Sequence, residues 1–160
     1  MLSTPCGRTI DTLVVILGVN PSIFTCGDLY DARDGSTYST VKIGDQCWMA
    51  ENLNVGTMIN SSLAQSNNTA IEKYCYNNSS SECDQFGGMY QWGEMMDYDS
   101  VSGHTGICPE GWHLPTDAKW FALESGLDSS ISQYTTGWRG GTAGTKLKSG
   151  GSSGFDALMG

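Results

Sequence analysis

The stretch DARDGSTYSTVKIGDQCWMAENL, Asp31 to Leu53, decides the fold. Asp34-Gly35 is a strong two-residue hairpin signal, since tight hairpin turns ask for residues that tolerate positive φ. A β-branched and aromatic run follows from Thr37 to Ile43, and Gly44-Asp45 turns the chain again into QCWMA. Within the run, Ser39, Val41 and Ile43 share one face, and Tyr38, Thr40 and Lys42 share the other. The pattern predicts a small antiparallel meander with Val41, Ile43 and one face of the Trp48 strand in the core.

Downstream lies GICPEGWHLPTDAKW, Gly106 to Trp120. Its prolines and glycines read as a rigid approach to a short helix, about Asp117 to Ser125. Thr116 is placed to cap that helix, and Asp117 in the first turn suits the helix dipole. A glutamate three residues after Thr116 would complete a capping box, but Lys119 stands there. Trp120, Leu123 and Leu127 form one apolar face, and Gly126 reads as the stop. A meander with one or two short helices, this one among them, predicts an α+β domain.

Upstream, residues 1–24 differ in texture, and Asn20-Pro21 marks a turn or linker. The run LVVILGV, Leu13 to Val19, is far short of the about 20 apolar residues that span a bilayer. It reads as a buried strand, and no membrane-spanning segment is expected. Met1 to Thr12 lacks the basic start and small-residue cleavage site of a secretory signal, offering only Arg8 against Asp11.

The chain has 160 residues, enough for one domain with a real core. Charged residues make up only 16%, and the net charge is −9. That balance, with basic residues scattered rather than striped, excludes nucleic acid and anionic membrane surfaces as partners.

Six cysteines and 21 glycines point to a loop-rich, disulfide-stabilised domain from an oxidising compartment. No close cysteine pair has zinc spacing, and neither His104 nor His113 stands beside a cysteine. A Cys75–Cys83 bridge would gain roughly 2.5 kcal/mol by loop closure. A Cys26–Cys47 bridge tying the first hairpin strand to the third would gain roughly 3.5 kcal/mol. These pairings are a choice among the fifteen or so that six cysteines allow.

Residues 54–70 are polar and read as a long surface loop, whose N-x-S/T patterns are taken as loop composition. From Ser129 onward glycine and serine abound, and no convincing element closes the chain. Asp97-x-Asp99 is the candidate calcium contribution, without the later ligands of an EF-hand loop; no cofactor is expected. His113 reads as structural and His104 as a loop residue. Among the aromatic residues, Trp48, Trp92, Trp112 and Trp120 are assigned to the core. Trp138, in TTGWRGG, is the ring most expected to be exposed; Trp138 and Tyr76, with Asp97 and Asp99, form the candidate ligand-binding set.

Four blocks carry a family resemblance: DGSTYSTVKIGDQCWMAENLNVGT, EKYCYNNSSSECDQFGGMYQWGEMM, GICPEGWHLPTDAKWFAL and LKSGGSSGFDAL. In order, they resemble the Fibrobacter succinogenes major paralogous domain. The resemblance covers residues 25–160 and leaves 1–24 outside. It implies a C-type lectin-like fold, with long loops and disulfides, on secreted, surface-anchored or lipoprotein-like bacterial proteins. Segment WHLPTDAKW is also similar to one in formylglycine-generating enzymes, which share that architecture.

Family members continue for several tens of residues past the last block, so the resemblance implies an incomplete C-terminal half. It also implies that the usual partner of Cys108 lies in that later part, leaving Cys6 and Cys108 as the odd pair, bridged together or free. The function expected is a non-catalytic, exported surface module for adhesion, binding glycan or a surface protein. The alternatives are a structural segment of a larger surface assembly, or a remnant of the formylglycine-generating fold. The last would need a reactive cysteine pair late in the chain, and no cysteine follows Cys108.

Overall fold

The computed structural model describes residues 6–9, 26–135 and 137–156. The expected strand at LVVILGV and the Asn20-Pro21 turn lie outside them.

Strands β4 (Thr40–Ile43) and β5 (Gln46–Met49) form a tight hairpin with Ile43 opposite Gln46. Only Gly44 and Asp45 connect them, and Gly44 has a φ of 60°. A third strand, β1 (Gly7–Thr9), pairs antiparallel with the other edge of β5, giving the order β1-β5-β4. A separate hairpin joins β2 (Leu29–Asp31) to β3 (Ser36–Tyr38). Its connection is four residues, 32–35, rather than the two that Asp34-Gly35 predicts. Gly35 N–H closes it on the Asp31 carbonyl at 2.9 Å, and the Asp34 carboxylate accepts from Ser36 N–H at 2.9 Å.

The single meander is therefore corrected to two sheets, broken at exposed Ser39. The cause is that β5 is buried along its whole length and carries a core on each face. Trp48 turns toward Ile43, Leu123 and Phe155, with Val41, Trp120 and Leu127 at the margin. Cys47 and Met49 turn the other way, into a larger core with Tyr38, Tyr90, Met95, Trp112 and Leu114. Tyr38 is thus buried although it opposes Val41 and Ile43 in the alternation.

Four α-helices are described, where one or two were expected: α1 (Ser80–Phe86), α2 (Trp92–Met95), α3 (Asp117–Leu127) and α4 (Ala143–Leu147). Helix α3 lays Leu123, with Trp120 and Leu127, onto the Trp48 face of the sheet. The Trp48 and Trp120 rings lie 5.0 Å apart. The helix runs through Gly126 to Leu127, because Leu127 gains burial on that face. Thr116 occupies the N-cap position without a side-chain cap bond. Lys119 reaches back to the His113 ring, whose backbone pairs with Gly7 at 3.0 Å in both directions.

Two further expectations are corrected. Trp92 is 64% exposed, because α2 turns Glu94 and Met95 inward and leaves its first residue outside. The late chain also contributes to the core: α4 buries Ala143, and Phe155 stands edge-on to Trp48 at 5.8 Å. The polar loop 54–70 contributes β6 (Thr57–Met58), which pairs in parallel with β7 (Glu72–Lys73) just beyond the loop. Its Gln65 is buried, donating to the Glu72 carbonyl at 2.8 Å and accepting from Gln91 N–H at 2.5 Å.

All six cysteines are bridged: Cys26–Cys47, Cys75–Cys83 and Cys6–Cys108. The third joins the odd pair and ties β1 to the approach of α3. No described helix is long and apolar enough to cross a membrane.

Candidate functional site: the Trp138 groove

A groove of about 920 Å³ opens between α3, α4 and the loop that joins them. Asp117 and Glu124 line it from α3, Gln133, Trp138 and Arg139 from the loop, and Leu147 from α4. The loop is glycine-rich because it turns sharply: Gly137 and Gly140 have φ of 79° and 77°. At Gly140 a Cβ would come within 2.6 Å of the Ile131 side chain, so both backbone angle and space call for glycine.

Two carboxylates near the end of α3 fasten the loop. Asp128 accepts from Ser130 Oγ at 2.6 Å, and from the N–H groups of Gly141 and Thr142 at 2.8 Å each. The Ser130 hydroxyl and these backbone donors hold its carboxyl well below the usual carboxylate range. One turn earlier, Glu124 accepts from Arg139 Nε at 2.7 Å, and the guanidinium lies over the Phe121 ring at 5.8 Å. The loop is pinned at its base and again beside Trp138, and the Trp138 ring is fully exposed. Tyr134, on the same loop, is 84% exposed.

Of the candidate ligand-binding residues Trp138, Tyr76, Asp97 and Asp99, Trp138 alone lines this groove. Tyr76 is exposed on a 3-10 turn, Tyr76–Asn78, just after Cys75. Asp97 is exposed with a φ of 52°. Asp99 accepts from Val101 N–H at 2.9 Å and stands 3.5 Å from His104 Nε2. Its bonds to the Val101 and Ser100 N–H groups hold that carboxyl below its ordinary value. Among the described residues, no group of three or more His, Cys, Asp or Glu is placed to hold a metal ion.

The sequence reading missed Tyr134, Arg139, Glu124 and Asp128. The spacing of Tyr134 and Trp138 around Gly137 was the available signal; the carboxylates sit on another element and left none.

A second groove, about 380 Å³, is lined by Tyr38, Glu51, Asn54 and Asp84. The Lys73 ammonium bonds to the Asn54 side-chain oxygen at 2.7 Å, and burial lowers its pKa. Tyr38 Oη accepts from Asn54 N–H at 3.0 Å. Tyr38, Asn54 and Lys73 close on one another, and no exposed aromatic ring lines this groove, so it reads as scaffold.

Residues 41–160 match the profile of the Fibrobacter succinogenes major domain, three quarters of the chain. The chain belongs to the Fibrobacter succinogenes major domain family. The match begins inside β4 and takes in both α3 and the Trp138 loop. In this family member β1, β2 and β3 precede the matched region, yet β1 completes the central sheet and Cys6 stands immediately before it. No curated protein matches the chain, and no solved structure matches it.

Proposed function

We propose that this member of the Fibrobacter succinogenes major domain family is an exported, non-catalytic bacterial surface module, of C-type lectin-like architecture, that binds a glycan or a surface protein. The observation that carries the reading is the fully exposed Trp138 ring on a doubly fastened loop over an open groove. Exposing an indole without a partner forgoes burial that is worth roughly 2 kcal/mol, and a binding surface explains such exposure. Preorganising the loop also lowers the entropy lost on binding.

Export is supported by three disulfides, which persist in oxidising compartments. Binding rather than thiol chemistry is supported by the bridging of all six cysteines, which leaves no thiolate nucleophile. The test is a glycan array probed with the native protein and with Trp138→Ala, each with and without calcium. The reading expects hits that the variant loses and that do not depend on calcium. Identical profiles for the two proteins would overturn it.

A further inference from the structure

We propose that the Trp138 groove takes an uncharged oligosaccharide, stacked on Trp138 with Tyr134 of the same loop and hydrogen-bonded to the start of α3 and to the loop. The inference rests on the binding reading above and narrows it to one class of ligand. The platform has the right chemistry: the Trp138 ring lines the groove beside polar side chains, and a second ring open to solvent, Tyr134, stands on the same loop outside that lining. The C–H face of a pyranose stacks on an indole or phenol ring, while its equatorial hydroxyls point outward to side-chain partners. Asp117, Gln133 and Thr135 line the groove and supply those partners.

Charge decides the class. Asp117, Glu124 and Arg139 are the charged residues among the described lining. Arg139 is already committed, to Glu124 at 2.7 Å and to the face of Phe121. The nearby ammonium of Lys146 is turned to the Leu127 carbonyl. A uronate or sulfate would therefore meet the Asp117 carboxylate with no uncommitted cation in the lining, and would approach a chain of net charge −9. A polycationic sugar would gain only the single carboxylate of Asp117, because Glu124 is neutralised by Arg139. An uncharged sugar keeps the stacking and the hydrogen bonds without either mismatch.

The test is titration of the whole protein with three hexasaccharides: cellohexaose, hexagalacturonate and glucosamine hexamer. Native protein is compared with Trp138→Ala and Tyr134→Ala, and both exposed rings can be removed without opening a core. Cellohexaose is expected to bind at least about tenfold tighter than either charged oligomer, and each variant to lose up to about tenfold, the ratio one stacking contact supplies. If a charged hexamer binds as tightly or more tightly through Trp138, the ligand class is wrong while the binding reading stands. If no hexamer shows binding that depends on Trp138, the ligand class falls, and the binding reading falls with it if the glycan array is also unchanged by Trp138→Ala.

Discussion

Asp31 is 2% exposed, and a carboxylate there survives because one residue satisfies it. Arg33 donates from Nε at 2.8 Å and from Nη2 at 2.6 Å, and its Nη1 reaches the Ile107 carbonyl at 2.9 Å, beside Cys108. Burial pushes the Asp31 carboxyl up, but the Arg33 hydrogen bonds and charge outweigh it and hold the group below its ordinary value. The pair is asymmetric, since the Arg33 side chain is 35% exposed and remains hydrated if left alone. Arg33→Ala strands a buried charge and is expected to cost about 3 kcal/mol in denaturant unfolding at neutral pH. Asp31→Asn is expected to cost less. A depressed folded-state pKa means that the native pair's contribution is present above the ordinary carboxylate pKa and is lost as pH falls through the depressed value. In Arg33→Ala the backbone N–H of residue 33 still donates to Asp31, at 3.1 Å in the native protein, but the guanidinium bonds and charge are gone; burial, the largest influence, then dominates, the Asp31 pKa rises and the sign reverses. The variant's deficit therefore shrinks toward about pH 4, where the unfolded carboxyl also protonates. A deficit that is flat or grows on acidification would refute this account of Asp31. Nothing in the spacing of Asp31 and Arg33 announces that Asp31 is buried, because the burial is tertiary; the Arg33 bond to the Ile107 carbonyl bridges a separation of 74 residues.

At the scale of elements, β5 explains both what was legible and what was not. Turn residues placed β4 and β5 correctly, because Gly44-Asp45 needs only local geometry. Alternation then misled at Tyr38, since a strand with a core on each face abolishes the rule that one side is solvent. Helix α3 was legible from its apolar spacing, and Leu123, fully buried against Trp48 and Phe155, is its anchor. Leu123→Ala is expected to destabilise the protein by about 3 kcal/mol, measured by chemical unfolding, through lost transfer energy and the cavity left beside Trp48. A loss under about 1 kcal/mol would mean that the Trp48 core collapses around the gap. Helices α1 and α2 are short and take their stability from the Cys75–Cys83 bridge and from burial of Met95, so helix periodicity had too few turns to register. The Trp138 loop was visible only as an exposed ring; its fasteners, Glu124 and Asp128, are brought to it by the path of the chain.

For the whole molecule, the Cys6–Cys108 bridge joins the part that matches the family to a part that does not. Cys6 lies ahead of the matched region, and its bridge spans a sequence separation of 102. Closing a loop of that size stabilises by about 4.7 kcal/mol in the chain-entropy account, the largest closure among the three bridges. It holds β1 on the edge of β5 and sets the segment that delivers α3, on which the Trp138 loop is mounted. The resemblance to the family pointed to the fold region but treated Cys6 and Cys108 as leftovers, because the contact between them is tertiary and no spacing encodes it. The measurement that tests this scaffold most directly is a peptide map of the unreduced protein, with thiol counting. The account predicts Cys6–Cys108, Cys26–Cys47 and Cys75–Cys83 and no free thiol; a free Cys6 and Cys108, or either one bridged to another partner, would contradict it.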